Sequence, residues 1–491
     1  MTDVVGKLWG FCHTLRHDGI DYGDYIEQIT YLLFLKMADE RGLDLSRVER
    51  GAPGGGGEVT DCSWPALRVW TGRELLGRYA EVLRALGEAS GLLGEIYAGS
   101  QPRFNSPVSL RKLIDLIDEI AWTRLGVDVK AAAYEGLLEK AAAEGKKGAG
   151  QYFTPRVVIE AIVRCMRPDP RGNPGFMLCD PACGTGGFLV AAHEWLMAEA
   201  GGALDPETAE RVKRGVFFGH ELVARPRRLA LMNLVLHGTA PTITLGDALA
   251  APAPDVRFDV VLTNPPFGTK GASQAPRRDD FAVATSNKQL NFLQHVVTIL
   301  KPGGRAAVVL PDNCLFADQA GELFKVLTER CDLHTVLRLP RGTFTPYCPG
   351  VKANVVFFTK GRATEEVWIY DARTCVPSIT KKDRPLSPAH FAGFERCYGD
   401  DPSGRSRRTA EGAGDDRFRR FSIREVEERE FKLDGFKWLK EAPLDEAGEP
   451  AEPEELAAEA IQELEEAVAG LNRVLALLER GANGAPEASG G

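Results

Sequence analysis

The stretch Leu178-Cys179-Asp180-Pro181-Ala182-Cys183-Gly184-Thr185-Gly186-Gly187-Phe188-Leu189 reads as a strand ending in an acid, a glycine-rich turn, and the start of a helix. Glycine tolerates the dihedrals of such a turn and lets backbone approach a ligand closely. The spacing is not the dinucleotide pattern Gly-x-Gly-x-x-Gly, and a carboxylate at the strand end would repel a pyrophosphate. The turn therefore suits a cationic or amino-bearing ligand, the alternative being a tight strand-to-helix connection that holds nothing.

Working outward, short β-rich runs at 176–179, 216–219, 242–245, 258–262, 305–310, 333–339 and 354–359 alternate with helical stretches. Several run Val, Ile, Leu or Phe without alternation, as strands covered on both faces do. Alternating β and α elements predict a doubly wound, mostly parallel α/β sheet of Rossmann-like kind, in which ligands sit at the carboxyl ends of the strands. Glu221 ends the second run, 41 residues after Asp180. That is about twice the usual distance of roughly 20 residues to a ribose-binding acid, because 201–214 adds length. Two ribose hydroxyls can donate to one carboxylate; a surface acid is the plain alternative. Asp247, after Leu245-Gly246, is a third strand-end acid that could hold an adenine amino group or cap a helix.

The sharpest signal is Asp259-Val260-Val261-Leu262-Thr263-Asn264-Pro265-Pro266-Phe267-Gly268. Two prolines fix φ and bias the preceding residues away from helix, so the Asn264 amide and the neighbouring carbonyls are held rigidly at a strand end. An exocyclic amine on a nucleobase is a poor nucleophile because its lone pair is delocalised into the ring. If Asn264 Oδ1 and the Pro265 carbonyl accept its two N–H bonds, the nitrogen is drawn toward tetrahedral geometry, and the positive charge that builds as it attacks a methyl sulfonium is stabilised. Phe267 can stack on the base. An ordinary proline turn would explain Asn-Pro-Pro alone.

Residues 1–145 look all-helical: Ile26, Ile29, Tyr31, Leu32, Leu33, Leu35 and Met37 carry a helical pattern over 22–40, and further helices are predicted at 72–95 and 110–120. Gly51-Ala52-Pro53-Gly54-Gly55-Gly56-Gly57 reads as a flexible surface insertion. A catalytic domain is predicted over 146–440. Beyond it, 441–491 reads as an acidic, proline-marked linker, a helix and a disordered end. In that helix Ile461, Leu464, Val468, Leu471, Leu475 and Leu478 form a heptad seam, read as docking to a partner helix rather than local packing.

The net charge of −9 argues against a large basic surface, but the tail from Glu441 carries −11 and leaves the body at +2, with basic pairs at Arg227-Arg228, Arg277-Arg278 and Lys381-Lys382. The 10 cysteines include no pair at metal-ribbon or redox spacing, and neither they nor the histidines suggest a metal cluster. No apolar run approaches the ~20 residues of a membrane span, and no secretion signal is evident, so a cytoplasmic enzyme with no membrane partner is expected.

Asp180-Pro181-Ala182-Cys183-Gly184-Thr185-Gly186-Gly187-Phe188 and Asn264-Pro265-Pro266-Phe267 resemble the cofactor and catalytic motifs of S-adenosylmethionine-dependent methyltransferases acting on adenine N6 in DNA. Gly150-Gln151-Tyr152-Phe153-Thr154-Pro155-Arg156, ahead of the glycine turn, resembles that family's segment closing over the methionine and adenine parts of the cofactor. Leu339-Pro340-Arg341-Gly342-Thr343-Phe344-Thr345-Pro346-Tyr347, continuing through 350–354, and the helical block 9–40 are similar to the methylation (modification) subunit of type I restriction-modification systems.

The resemblance implies cofactor contacts at Gln151, Tyr152, Phe153, Thr154, Pro155, Arg156, Asp180, Pro181, Ala182, Gly184, Thr185, Gly186, Gly187 and Glu221, with Asp247 added from sheet position. It implies that Asn264, Pro265, Pro266 and Phe267 meet the target adenine. It also implies a flipped adenine in double-stranded DNA, a specificity subunit that docks on the tail and chooses the site, a restriction subunit, and two methylation subunits per specificity subunit. Consistent with that division, 375–440 carries no helix-turn-helix or zinc-finger signature for reading a duplex. A stand-alone adenine-N6 enzyme, and an amino-methyltransferase acting on RNA or protein glutamine, stay open as alternatives; a scaffold without activity is the remaining one.

Overall fold

The computed structural model describes residues 22–49, 58–122, 154–250, 255–267, 276, 278–317, 319–345, 350–374, 376–380, 383–408 and 416–439. The expectations for the Gly51–Gly57 insertion, for Gln151–Phe153 and for the heptad seam lie outside the described residues. Two compact units emerge, Met1–Phe153 with Asp169–Ala248, and Thr154–Pro168 with Leu249–Gly491. The first unit groups the helical block with the first strands of the sheet.

In the first unit, helices α1 (Tyr22–Glu40), α2 (Trp64–Arg68), α3 (Gly72–Glu88), α4 (Leu92–Tyr97) and α5 (Pro107–Asp118) accompany a two-residue antiparallel pair, β1 (Val48–Glu49) with β2 (Val59–Thr60). The predicted helix at 72–95 is broken by Gly91 at φ +70° into α3 and α4. Leu75, Tyr79, Val82, Leu83 and Leu86 bury one stripe of α3 at spacings of three and four. Ser106 caps α5 by accepting from Ser109 N, with Pro107 at the first helical position.

The same unit holds three parallel strands, β3 (Leu178–Asp180), β4 (Phe217–Glu221) and β5 (Thr242–Leu245), in the order β3-β4-β5. Helices Gly187–Glu199, Pro206–Gly215 and Ala224–Leu236 connect and follow them. The last of these packs against α1 and α4. Arg225 pairs with Asp24 at 3.0 Å, Arg227 with Glu95, and Arg228 with Glu27, while Arg228 also donates to the Ala98 carbonyl at 2.8 Å. The basic pair Arg227-Arg228 is therefore engaged by the acids of the helical block.

The second unit begins with the helix Arg156–Met166, whose buried Val158, Ile159, Ile162, Val163 and Met166 again follow the helical repeat. Its strands are β6 (Phe258–Thr263), β7 (Leu300–Pro311), β8 (Cys331–Arg338), β9 (Ala353–Lys360), β10 (Glu366–Asp371) and β11 (Phe418–Ser422), in the order β11-β10-β8-β9-β7-β6. Pairings β6 with β7 and β8 with β10 are parallel, whereas β9 runs antiparallel to both of its neighbours, as β11 does to β10. The fold is a Rossmann-like sheet, mostly parallel, with reversed strands in this half. The helix Arg156–Met166 is held at its far end by Arg305, which donates to the carbonyls of Met166 (2.9 and 2.8 Å) and Arg167 (2.8 Å), and at its side by the Arg164–Glu395 pair at 2.7 Å. Among the described residues no helix is long and apolar enough to cross a membrane.

Candidate active site and cofactor turn

The first unit builds an acceptor-lined turn. Asp180 ends β3 at 2% exposure, and its Oδ1 accepts from Ala182 N at 3.0 Å, which bends the chain straight into the glycines. Gly184 and Gly186 take φ of +54° and +84°, a region that L side chains rarely adopt. A Cβ on Gly186 would stand 3.2 Å from that of Ala230, so this glycine also admits the helix Ala224–Leu236. From that helix Asn233 Nδ2 donates to the Thr185 carbonyl at 3.1 Å and fixes the turn from behind.

Glu221, at the end of β4, reaches back to the same turn. Its Oε2 accepts from Gly184 N and its Oε1 from Val223 N, each at 2.9 Å. Each carboxylate oxygen keeps lone-pair capacity for a further donor. The set therefore fits a ligand that is cationic and carries vicinal hydroxyls, and it repels an anionic one. Cys179 and Cys183 flank Asp180, but burial raises both thiols well above the usual range, so neither supplies a thiolate nucleophile.

Burial pushes the Glu221 carboxyl above its ordinary 4.5, against the backbone donors Val223, Gly184 and Leu222. An acid raised in this way stabilises the fold fully below its unfolded pKa, and that contribution is lost as pH rises through the folded value. Donors on a ligand favour the opposite, ionised form. Affinity for a ligand whose hydroxyls donate to Glu221 should accordingly weaken as pH falls through the folded Glu221 pKa while the fold itself is retained. Calorimetric titration between pH 8 and 5 checks this, with Glu221→Gln removing the dependence.

Asp247 lies exposed just after β5, and no helix begins at it, so the capping alternative falls. Leu222, directly after the buried Glu221, is 63% exposed, and Val223 and Leu245 are exposed nearby.

The second unit builds the Asn-Pro-Pro corner. Asn264 follows directly on β6, whose Val260, Val261, Leu262 and Thr263 are fully buried. Its Nδ2 donates to Thr154 Oγ1 at 2.8 Å. Its Oδ1 is buried and has no hydrogen-bond partner among the described residues. Gln289 Nε2 donates to the Pro266 carbonyl at 2.7 Å, while no described donor reaches the Pro265 carbonyl. Two adjacent acceptors, Asn264 Oδ1 and Pro265 O, are thus left open on a proline-stiffened corner. Phe267 is buried, with its ring edge-on to Phe344 at 5.5 Å.

Thr154 is buried, Pro155 caps the helix Arg156–Met166, and the Arg156 guanidinium pairs along that helix with Glu160 at 2.8 Å. Arg278, the described half of the second basic pair, is buried on Asp280 and His295.

The family model described as N-6 DNA Methylase matches residues 126–446 of the chain. The chain belongs to that family. A second model, described as the HsdM N-terminal domain, matches residues 4–117 of this N-6 DNA methylase. The methylase is 36% identical to the type I restriction enzyme EcoKI methylase subunit of Escherichia coli K12, covering 96% of this chain and 94% of that protein. It is also 36% identical to the type I restriction enzyme StySPI methylase subunit of Salmonella potsdam, over 98% of this chain and 96% of that one.

Among solved structures, the EcoKI M protein aligns at 33% identity and TM-score 0.53, covering 99% of this methylase and 97% of that chain. A chain from a structure reporting complex assembly and conformational transition of a type I restriction-modification system aligns at 26% identity and TM-score 0.70, covering 97% and 98%.

Proposed function

We propose that in this S-adenosylmethionine-dependent DNA methylase Asn264 Oδ1 and the Pro265 carbonyl accept the two N–H bonds of a target adenine's N6. The observation that carries this reading is the buried, unpartnered Asn264 Oδ1 beside the open Pro265 carbonyl. An acceptor left unpaired in a buried place is costly, and a ligand donor would satisfy it. The cofactor supplies an electrophilic methyl on a sulfonium. As the N6 lone pair takes the methyl and the carbon–sulfur bond breaks to leave a neutral thioether, the paired acceptors would hold the amine N–H bonds and stabilise charge developing on nitrogen. An amide oxygen is too weakly basic to keep the surplus proton, which passes to solvent. Phe267 stacks on the base, and Pro266 keeps the corner rigid.

In the same proposal Asp180 and Glu221 receive the cofactor's donors. The turn Pro181, Ala182, Gly184, Thr185, Gly186 and Gly187 lets its backbone approach, and Leu222 covers one face of its adenine. Gln151, Tyr152, Phe153, Thr154, Pro155 and Arg156 close over it, with Asp247 at the adenine amino group. The chain acts as the modification subunit of a type I restriction-modification enzyme in the cytoplasm, with two copies per specificity subunit and a restriction subunit beside them. The adenine is extruded from duplex DNA, since N6 cannot be reached within the stack.

With cofactor and DNA the isolated chain should methylate weakly or not at all, and adding its specificity subunit should bring site-specific N6-methyladenine, read by mass spectrometry of digested DNA. Strong site-specific activity of the chain alone would favour an independent adenine methyltransferase. Product on RNA or on protein glutamine would overturn the DNA assignment.

A further inference from the structure

The helix Lys288–Ile299 buries three amide side chains, Gln289, Asn291 and Gln294. Two are spent on local structure. Asn291 Nδ2 donates to the Thr285 carbonyl at 2.8 Å, and Gln294 exchanges bonds with both backbone groups of Val283 at 2.9 Å. Gln289 differs. It is 1% exposed, its Nε2 reaches the Pro266 carbonyl 23 residues away, and its Oε1 has no partner among the described residues. A buried amide with one end unpaired weakens a fold relative to an apolar side chain of the same size. Packing alone gives no account of a glutamine here.

Thr154 makes a second contact to the corner. Its hydroxyl accepts from Asn264 Nδ2 across 110 residues of sequence, at the start of a helix pinned by Arg305 and Glu395. With its nitrogen on Thr154 the amide presents its oxygen, and this contact holds it in that position. Gln289 in turn occupies the Pro266 carbonyl and leaves that of Pro265 as the free one.

We infer that Thr154 and Gln289 are a pair of positioning residues that hold the Asn264 amide and the Pro266 carbonyl of the Asn-Pro-Pro corner in place. For Thr154 this gives the hydroxyl a role beyond the segment's closure over the cofactor, a closure whose shape Thr154→Val keeps, and for Gln289 it assigns a role where there was none. The inference rests on Asn264 being the amine acceptor.

Single-turnover methyl transfer by the methylase assembled with its specificity subunit, at saturating cofactor and DNA, tests it alongside cofactor Kd and melting midpoint. Thr154→Val should slow transfer at least fivefold with cofactor Kd changed less than threefold, and Thr154→Ser should restore the rate. Gln289→Met should slow transfer at least fivefold with the midpoint unchanged or raised, because the orphaned Oε1 is gone. Rates within fivefold of the parent for Thr154→Val would overturn the inference, as would a loss accompanied by an equal loss of cofactor affinity. A Gln289→Met variant that retains its rate, or loses rate and midpoint together, would remove Gln289 from the pair. Asn264→Ala run in parallel separates the failures: if it retains activity the acceptor reading itself is wrong, and if it alone is inactive only the bracing is wrong.

Discussion

Asn264→Ala should reduce methyl transfer by the assembled enzyme by on the order of 10²–10³-fold, the range seen when one preorganised polar group at a transition state is removed. Cofactor affinity should stay within about threefold. The separation follows from where the residue sits. Asn264 directly follows β6 and, among the described residues, its side chain bonds Thr154 through Nδ2, whereas Asp180 and Glu221 end other strands and hold the glycine turn. An interaction made only as charge develops on the amine lowers kcat and kcat/KM together, and it leaves ground-state binding of the cofactor alone. Rapid-quench transfer assays with calorimetry on the same preparation read both quantities, and loss of cofactor binding in this variant would contradict the assignment.

For Asp180→Ala the pattern reverses. The substitution removes a buried carboxylate that shapes the turn through Ala182 N and, by the proposal, accepts from a cationic ligand. Hydrogen bonds to charged groups contribute about 1.5–3 kcal/mol each, so cofactor Kd should rise by roughly 10- to 100-fold. Asp180→Asn keeps an acceptor for Ala182 N but loses the charge, and should fall between parent and Ala. If both variants bind cofactor as the parent does, Asp180 is a structural acid of the turn and no more.

The strand runs and the glycine elbow were legible because they are local: apolar stretches bounded by turn chemistry specify β3 to β9 whatever surrounds them. Strand direction was not. β9 is buried along almost its whole length, so its pattern matches that of a parallel strand, yet it runs antiparallel between β7 and β8. β11, Phe418–Ser422, escaped notice because Arg419 and Arg420 interrupt its apolar character, as suits the outermost strand of the order.

The candidate site divides the same way. Asp180 and Glu221 announce themselves by ending strands, and Asn264 by following one directly. Gln289 could not, since a glutamine on an amphipathic helix looks like any other until the fold brings it to the Pro266 carbonyl. The partners of the basic pairs were not legible either: acids of the same unit hold Arg227, Arg228 and Arg278.

The most direct test is a structure of the methylase with its specificity subunit, target DNA and a non-reactive cofactor analogue. N6 of the extruded adenine should lie about 2.7–3.2 Å from both Asn264 Oδ1 and the Pro265 carbonyl, the range of a hydrogen bond. An adenine amine held by other groups, or an Asn264 Oδ1 turned away to an internal donor, would contradict the account.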